Sequence, residues 1–407
     1  MKISAIVSEY NPFHNGHKYL AEQLRKDGST HIVSVMSGNF VQRGECAVSD
    51  KYSRAETAVL SGIDLVLELP VVYSCASAER FSYGAVYTLM SLGCIDELCF
   101  GSECGDIDAL RKTAALSDDA DFIRRIISYK SQGYSHPRAV EAALRDTNNN
   151  ISADLLKGAN NTLAVEYIKA LNKLNINIIP KTVKRKGTTH DSTNTSDNFA
   201  SASLIRKMIY SNDTSYKRYV PLAAYRTLEQ QKEQGLCPAK LTQNERSIIS
   251  ALRLCTLEQI RATPDVTEGL EHRLYKAISE NITLEGIIEQ VKCKRYTYAR
   301  ISRIIMCIYL GITKDMYSTD PQYLRVLAFN SKGTEVLKQM KRTAALPVVM
   351  RPSKDFDTLS AEGKTLLSAD IRASDLYSLF TPTIQPCGKD FFLGALKVES
   401  GKSYGFE

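Results

Sequence analysis

The sequence predicts an α/β fold: a parallel sheet wound on both faces by helices over the first half, followed by a mainly helical region. Three observations carry this. Short apolar runs alternate with helix-like stretches through the first half, turns rich in small polar residues follow those runs, and helical periodicity takes over beyond about Tyr219. Repeated strand–helix–strand units wind right-handedly, and such sheets bind ligands at the carboxyl ends of their strands.

The elements follow in order. "KISAIV" (Lys2 to Val7) is a short apolar strand, and Gly16 to Lys26 a helix. The β-branched run "HIVSVMS" ends at Ser37, Ser53 to Ser61 is helix-like, and "IDLVLELP" is a buried strand stopped by Pro70. A helical stretch from Ser82 to Leu92 leads into "IDELCFGSE", with Gly101 at its end. A helix from about Thr162 and a strand from Ile176 continue the pattern. The polar stretch from Lys184 to Asn198 reads as an exposed loop. "FASASLIRKMIY" then reads as a capped helix, with Ser201 or Ser203 as N-cap. Helical periodicity dominates from Thr242 to Leu310, and a mixed segment with strand-like "ALPVVMR" closes the chain. These shifts in texture divide it into 1–215, 216–320 and 321–407.

A length of 407 residues suits two or three domains, and 43% apolar with 24% charged residues suits a globular protein. The net charge of +7 is compatible with a polyanionic partner without requiring one. There is no apolar run of about 18 residues and no signal-like N-terminus, so no membrane role is expected. Ten scattered cysteines without zinc-knuckle spacing read as reduced thiols of a cytoplasmic protein. No carboxylate cluster announces a protein-held metal, and nothing calls for an obligate protein partner.

The most informative stretch is "VSEYNPFHNGHKYL", which follows the first strand and holds two of the chain's six histidines, His14 and His17. A strand-to-helix turn offers backbone N–H groups and a helix dipole to an anion. Histidines three apart share one helix face and both can donate to phosphate oxygens, while Gly16 lets a flat ligand approach the backbone. The plainer alternative is a capped helix with two surface histidines.

"HNGH" resembles the His-x-Gly-His signature of nucleotidyltransferases and class I aminoacyl-tRNA synthetases. "SASLIR" resembles their second signature, with Ala200, Ala202 and Ser203 departing from its pattern. "SEYNPFHNGH", "MSGNFVQRGE", "GIDLVLELP", "GANNTLAVEYIKAL", "VKRKG" and "KRYTYARISRI" together resemble the bacterial tRNA(Met) cytidine acetate ligase family. The resemblance implies a Rossmann-like nucleotidyltransferase domain joined to a helical RNA-binding region. It implies that ATP and acetate form acetyl-adenylate and pyrophosphate, and that the acetyl group passes to N4 of the wobble cytidine of elongator tRNA(Met), releasing AMP. A small-molecule adenylyltransferase with the same two signatures is the alternative, and the basic helical half argues against it.

His14, His17 and Arg206 are the catalytic candidates, shielding phosphate charge, with Lys18 or Lys51 as added charge. The resemblance assigns ATP to Val7, Ser8, Glu9, Tyr10, Asn11, Pro12, Phe13, His14, Asn15, Gly16, His17, Lys18, Tyr19 and Leu20. Gly101, at the end of its strand, would let adenosine lie against the backbone; the resemblance adds Arg185 and one asparagine, Asn160 or Asn161, and Ser201 or Ser203 would donate beside Arg206. Gln42 or Arg43 is expected to face the substrate. With triphosphate chemistry Mg²⁺ is expected as well. For tRNA the richest segment is "VKCKRYTYARISRI", where Lys292, Lys294, Arg295, Arg300 and Arg303 interleave with Tyr296 and Tyr298. If helical, it sets Lys292, Tyr296, Arg300 and Arg303 on one face, three charges and a stacking ring.

Overall fold

A computed structural model of the chain describes residues 1–116, 119–147, 150–186, 198–267 and 269–399. Five strands, β1 (Ile3–Ser8), β2 (His31–Ser37), β3 (Leu65–Leu69), β4 (Glu97–Ser102) and β5 (Ile179–Lys184), lie parallel in the order β3-β2-β1-β4-β5. Every residue of β2 and β3 is buried, as apolar runs covered on both faces must be. Alternate residues feed two cores: Val33, Val35 and Leu67 pack on one side, Ile32, Met36 and Val66 on the other. Strand order reverses at β1, so the gap between β1 and β4 is the switch point where a ligand site is expected.

The sheet is not wholly parallel. β6 (Leu324–Phe329) pairs antiparallel with β3, and β7 (Val348–Val349) and β8 (Leu396–Lys397) pair parallel with β6. Residues beyond 320, expected as a separate mixed region, thus complete the N-terminal sheet. The reason is physical: a five-residue buried strand with a bare ladder edge needs a cover, and "LRVLAF" supplies it. The strand expected in "ALPVVMR" shrinks to Val348–Val349. Helices fill the span from Leu222 to Ser318. A helical excursion between Ile107 and Leu155, unremarked in the sequence, stands between β4 and the helix Ala159–Lys173. The polar stretch from Lys184 to Asn198 lies, from 187 to 197, outside the described residues.

A buried ionic cluster joins the two ends of the chain. Lys51 Nζ lies 2.7 Å from Glu68 Oε1 and 2.9 Å from Asp390 Oδ2. Arg325 Nη2 lies 2.8 Å from Asp390 Oδ1, and its Nε 3.3 Å from Glu68 Oε2. All four side chains are almost fully buried. Lys51, expected as added charge for phosphate, is therefore neutralised within the protein.

Candidate active site

The site begins where β1 ends. Tyr10 takes a left-handed backbone conformation (φ 46°), the chain turns, and His14 caps the helix α1 (Asn15–Lys26). His14 Nδ1 accepts the Gly16 N–H at 3.0 Å, and the His14 N–H donates to His17 Nδ1 at 3.1 Å. The two histidines thus form a reciprocal capping box. Because each Nδ1 is an acceptor, each neutral ring carries its proton on Nε2. The rings stack with centroids 3.7 Å apart and planes 22° from parallel. Burial first, then the neighbouring His14 and Arg185, hold the His17 pKa well below its ordinary value, so His17 is neutral.

Two expectations change here. A Cβ on Gly16 would lie 2.9 Å from His14 Cε1, so the glycine makes room for the imidazole rather than for a ligand. The first-turn N–H groups are also spent: Asn15 donates to the Tyr219 carbonyl, Gly16 to His14 Nδ1, and His17 and Lys18 to the His14 carbonyl. An anion at this helix start would therefore meet the imidazoles rather than free backbone N–H groups.

The second signature closes on the first. Ser201 caps the helix α2 (Ala202–Tyr210), accepting from the Leu204 N–H at 3.1 Å. Arg206 Nη1 donates to the Asn11 carbonyl at 2.9 Å and Nη2 to Ser203 Oγ at 3.4 Å, with Glu45 a loose partner at 3.9 Å. Asn15 Nδ2 donates to the carbonyls of Asn198 and Arg218, fastening the two motifs together. On the far side, Arg185 Nη1 donates to Asn160 Oδ1 at 3.3 Å, and a Cβ on Gly101 would lie 3.2 Å from Arg185 Cγ.

These groups surround a cavity of about 450 Å³, large enough for a nucleotide. Val7, Ser8, Glu9, Tyr10, Asn11, His14, Gly16, His17, Tyr19 and Leu20 line it, with Gly101, Asn160, Arg185, Ser201, Ser203 and Arg206. Pro12, Phe13, Asn15 and Lys18 do not. Pro12 and Phe13 are buried beneath the turn, and Lys18 is exposed on the outer face of α1, paired with Glu22. Asn161 also turns away. Its Oδ1 accepts the N–H groups of Glu103 and Cys104 and its Nδ2 donates to the Leu155 carbonyl, so Asn160 is the asparagine that faces the cavity.

Gln42 and Arg43 line the cavity from the turn of a small hairpin, Phe40–Val41 with Glu45–Cys46. Phe81, Phe100, Pro137, Leu163, Tyr167 and Lys186 are also part of the wall. The apolar ones are not legible in the sequence, because apolar positions on helices and strands read as core, whereas Lys186 lies within the "VKRKG" run. Arg54, also missed, is buried and donates to the carbonyls of Glu9, Ser37, Gly38 and Ser49, clamping the ends of β1 and β2. Among the described residues no group of three or more His, Cys, Asp or Glu is placed to hold a metal ion.

The basic segment departs from the single face expected of it. The helix α3 (Tyr298–Leu310) starts only after the Thr297 cap, and Lys292 ends the preceding helix. Tyr296 is buried, with the Arg300 guanidinium over its ring. Arg300 donates to the Asp265 carbonyl and Thr267, and Arg303 pairs with the Asp265 carboxylate. Arg295 is half-buried, while Lys292, Lys294 and Tyr298 are exposed. Lys292 pairs with Glu289, and Tyr298 donates to Glu285.

Comparison with known proteins agrees with this geometry. A family model described as HIGH Nucleotidyl Transferase matches residues 1–390. A tRNA(Met) cytidine acetate ligase of Thermoanaerobacter sp. (strain X514) is 39% identical over 407 residues, covering 98% of this chain and 100% of the relative. The same-named protein of Halothermothrix orenii is 38% identical over 420 residues, with the same coverage. The crystal structure of apo Thermotoga maritima TmcAL aligns with a TM-score of 0.92 at 32% identity, over 98% of this chain and 100% of that one. Its complex with alpha-thio ATP aligns at 0.90 and 31% identity, over 98% and 99%. No helix among the described residues is long and apolar enough to cross a membrane. The chain belongs to the HIGH nucleotidyltransferase family, among the tRNA(Met) cytidine acetate ligases.

Proposed function

We propose that the chain uses ATP to activate acetate as acetyl-adenylate and transfers the acetyl group to N4 of the wobble cytidine of elongator tRNA(Met). The observation that carries this is the pair of stacked imidazoles, each locked by its backbone with the proton on Nε2, beside Arg206 and Arg185 on a nucleotide-sized cavity. The alpha-thio ATP complex of the Thermotoga maritima relative supports ATP as the nucleotide.

Acetate is already an anion, so its attack on the α-phosphate needs no general base. It needs the phosphate charge shielded and the carboxylate held in line. Neutral imidazole donors and guanidinium groups supply that shielding as pyrophosphate leaves. Cytidine N4 is a weak nucleophile because its lone pair is delocalised, and the mixed anhydride with AMP makes the second step feasible. A wobble base is reached without unwinding a duplex and is splayed into the cavity.

Mass spectrometry of nucleosides from unmodified elongator tRNA(Met), incubated with the protein, ATP and isotopically heavy acetate, tests the reading. Labelled N4-acetylcytidine is expected. ATP turnover with unmodified tRNA would overturn the acetyl acceptor.

A further inference from the structure

Glu9 is out of place among phosphate ligands. It lies one residue beyond β1, at the β1–β4 switch point, and lines the cavity. Its backbone carbonyl accepts from Arg54 Nη1 at 2.6 Å, and its Oε1 accepts the Gln42 N–H at 3.0 Å. Among the described residues no ion pair engages its carboxylate, whereas Glu45, the other carboxylate on the wall, lies 3.9 Å from Arg206. The same cavity is lined by the aromatic side chains of Phe81, Phe100 and Tyr167. Burial, and then the Glu9 charge, push the Tyr167 phenol up.

A carboxylate repels a triphosphate, but it accepts the exocyclic amine hydrogens of cytosine. The hairpin adds direction. Gly44 has φ +73°, a Cβ there would lie 2.6 Å from the Arg303 backbone nitrogen, and Ser302 Oγ donates to the Gly44 carbonyl at 3.2 Å. The turn carrying Gln42 is thus seated on α3, and RNA docking over that helix would meet the cavity at Gln42 and Glu9.

We propose that Glu9 is the catalytic residue of acetyl transfer: its carboxylate accepts the N4–H of the incoming cytidine and takes that proton as N4 attacks. The inference rests on the proposed acetate and tRNA reading. In the step, the N4–C bond forms and the anhydride C–O bond breaks. AMP leaves with the electron pair, and the N4 proton passes to Glu9 and on to water.

Glu9→Gln keeps an acceptor for the Gln42 N–H and removes the base. The two half-reactions are measured separately: acetate-dependent exchange of pyrophosphate into ATP, and single-turnover transfer from synthetic acetyl-adenylate to saturating tRNA. The ratio of transfer to exchange is expected to fall about 10²- to 10⁴-fold, with Glu9→Asp in between. Equal losses in both half-reactions, a defect confined to the tRNA concentration dependence, or no change would each overturn the role. A wild type without acetate-dependent exchange would overturn the underlying acetate reading, and this inference with it.

Discussion

The cavity rim and the buried ionic cluster are both dense with polar groups near the carboxyl ends of strands, yet they are opposite kinds of site. In the cluster two cations, Lys51 and Arg325, meet two carboxylates, Glu68 and Asp390, and nothing is left over. At the rim the His14 and His17 rings are held by their own backbone, and Arg185 and Arg206 by polar neighbours around a void. A cation beside a strand end becomes structural when a carboxylate arrives from elsewhere in the fold. It stays available to a ligand when only uncharged groups or loose partners arrive.

The largest expected effect breaks the cluster. Arg325→Met leaves two buried carboxylates facing one lysine and should cost about 3–5 kcal/mol of unfolding free energy. Denaturant titration checks this, and a loss below about 1 kcal/mol would mean that the cluster resembles a surface pair. At the rim, His14→Asn retains a capping acceptor for the Gly16 N–H but lacks Nε2. Acetate-dependent pyrophosphate exchange should fall about 10²- to 10³-fold, while the unfolding midpoint barely moves. Unchanged exchange would remove His14 from the chemistry.

The basic segment sharpens the same contrast. Replacing exposed Lys292 and Lys294 by alanine should weaken tRNA binding and flatten its salt dependence by roughly one to two in log–log slope. Arg300→Ala, which breaks ties to Asp265 and Thr267, should cost stability first. The reverse pattern would show that Arg300 reaches RNA. The smallest effect is on pH. His17 has a lowered pKa in the fold, so the unfolded chain takes up a proton that the folded chain refuses. Its contribution is therefore complete above about pH 6.5 and lost as pH falls from there toward the lowered value. His17→Gln should flatten that limb of the stability profile, and an unaltered limb would assign it to other groups.

What the sequence disclosed was local. The histidine turn and the Ser201 cap are fixed by residues within a few positions of one another, and the parallel strands by their own apolar runs. What it concealed depends on partners far along the chain. Lys51 reads like any helix-start lysine until Asp390 meets it, and Tyr296 like a stacking ring until Arg300 covers it. Asn160 and Asn161 are equivalent until the backbone of Glu103, Cys104 and Leu155 takes up the side-chain amide of Asn161. Even Gly16, read as an opening for a flat ligand, owes its smallness to a ring two residues away.

The antiparallel pairing of β3 with β6 carries a consequence for how the protein is made. During synthesis Leu65–Leu69 leaves the ribosome long before Leu324–Phe329 exists, so an apolar strand waits with an open edge while the helical region is translated. Late-closing pairs of this kind form slowly and leave growing chains exposed to self-association. Fragments cut ahead of β6 inherit that open edge permanently, and should be recovered as aggregates or chaperone complexes rather than as a working nucleotide-binding half.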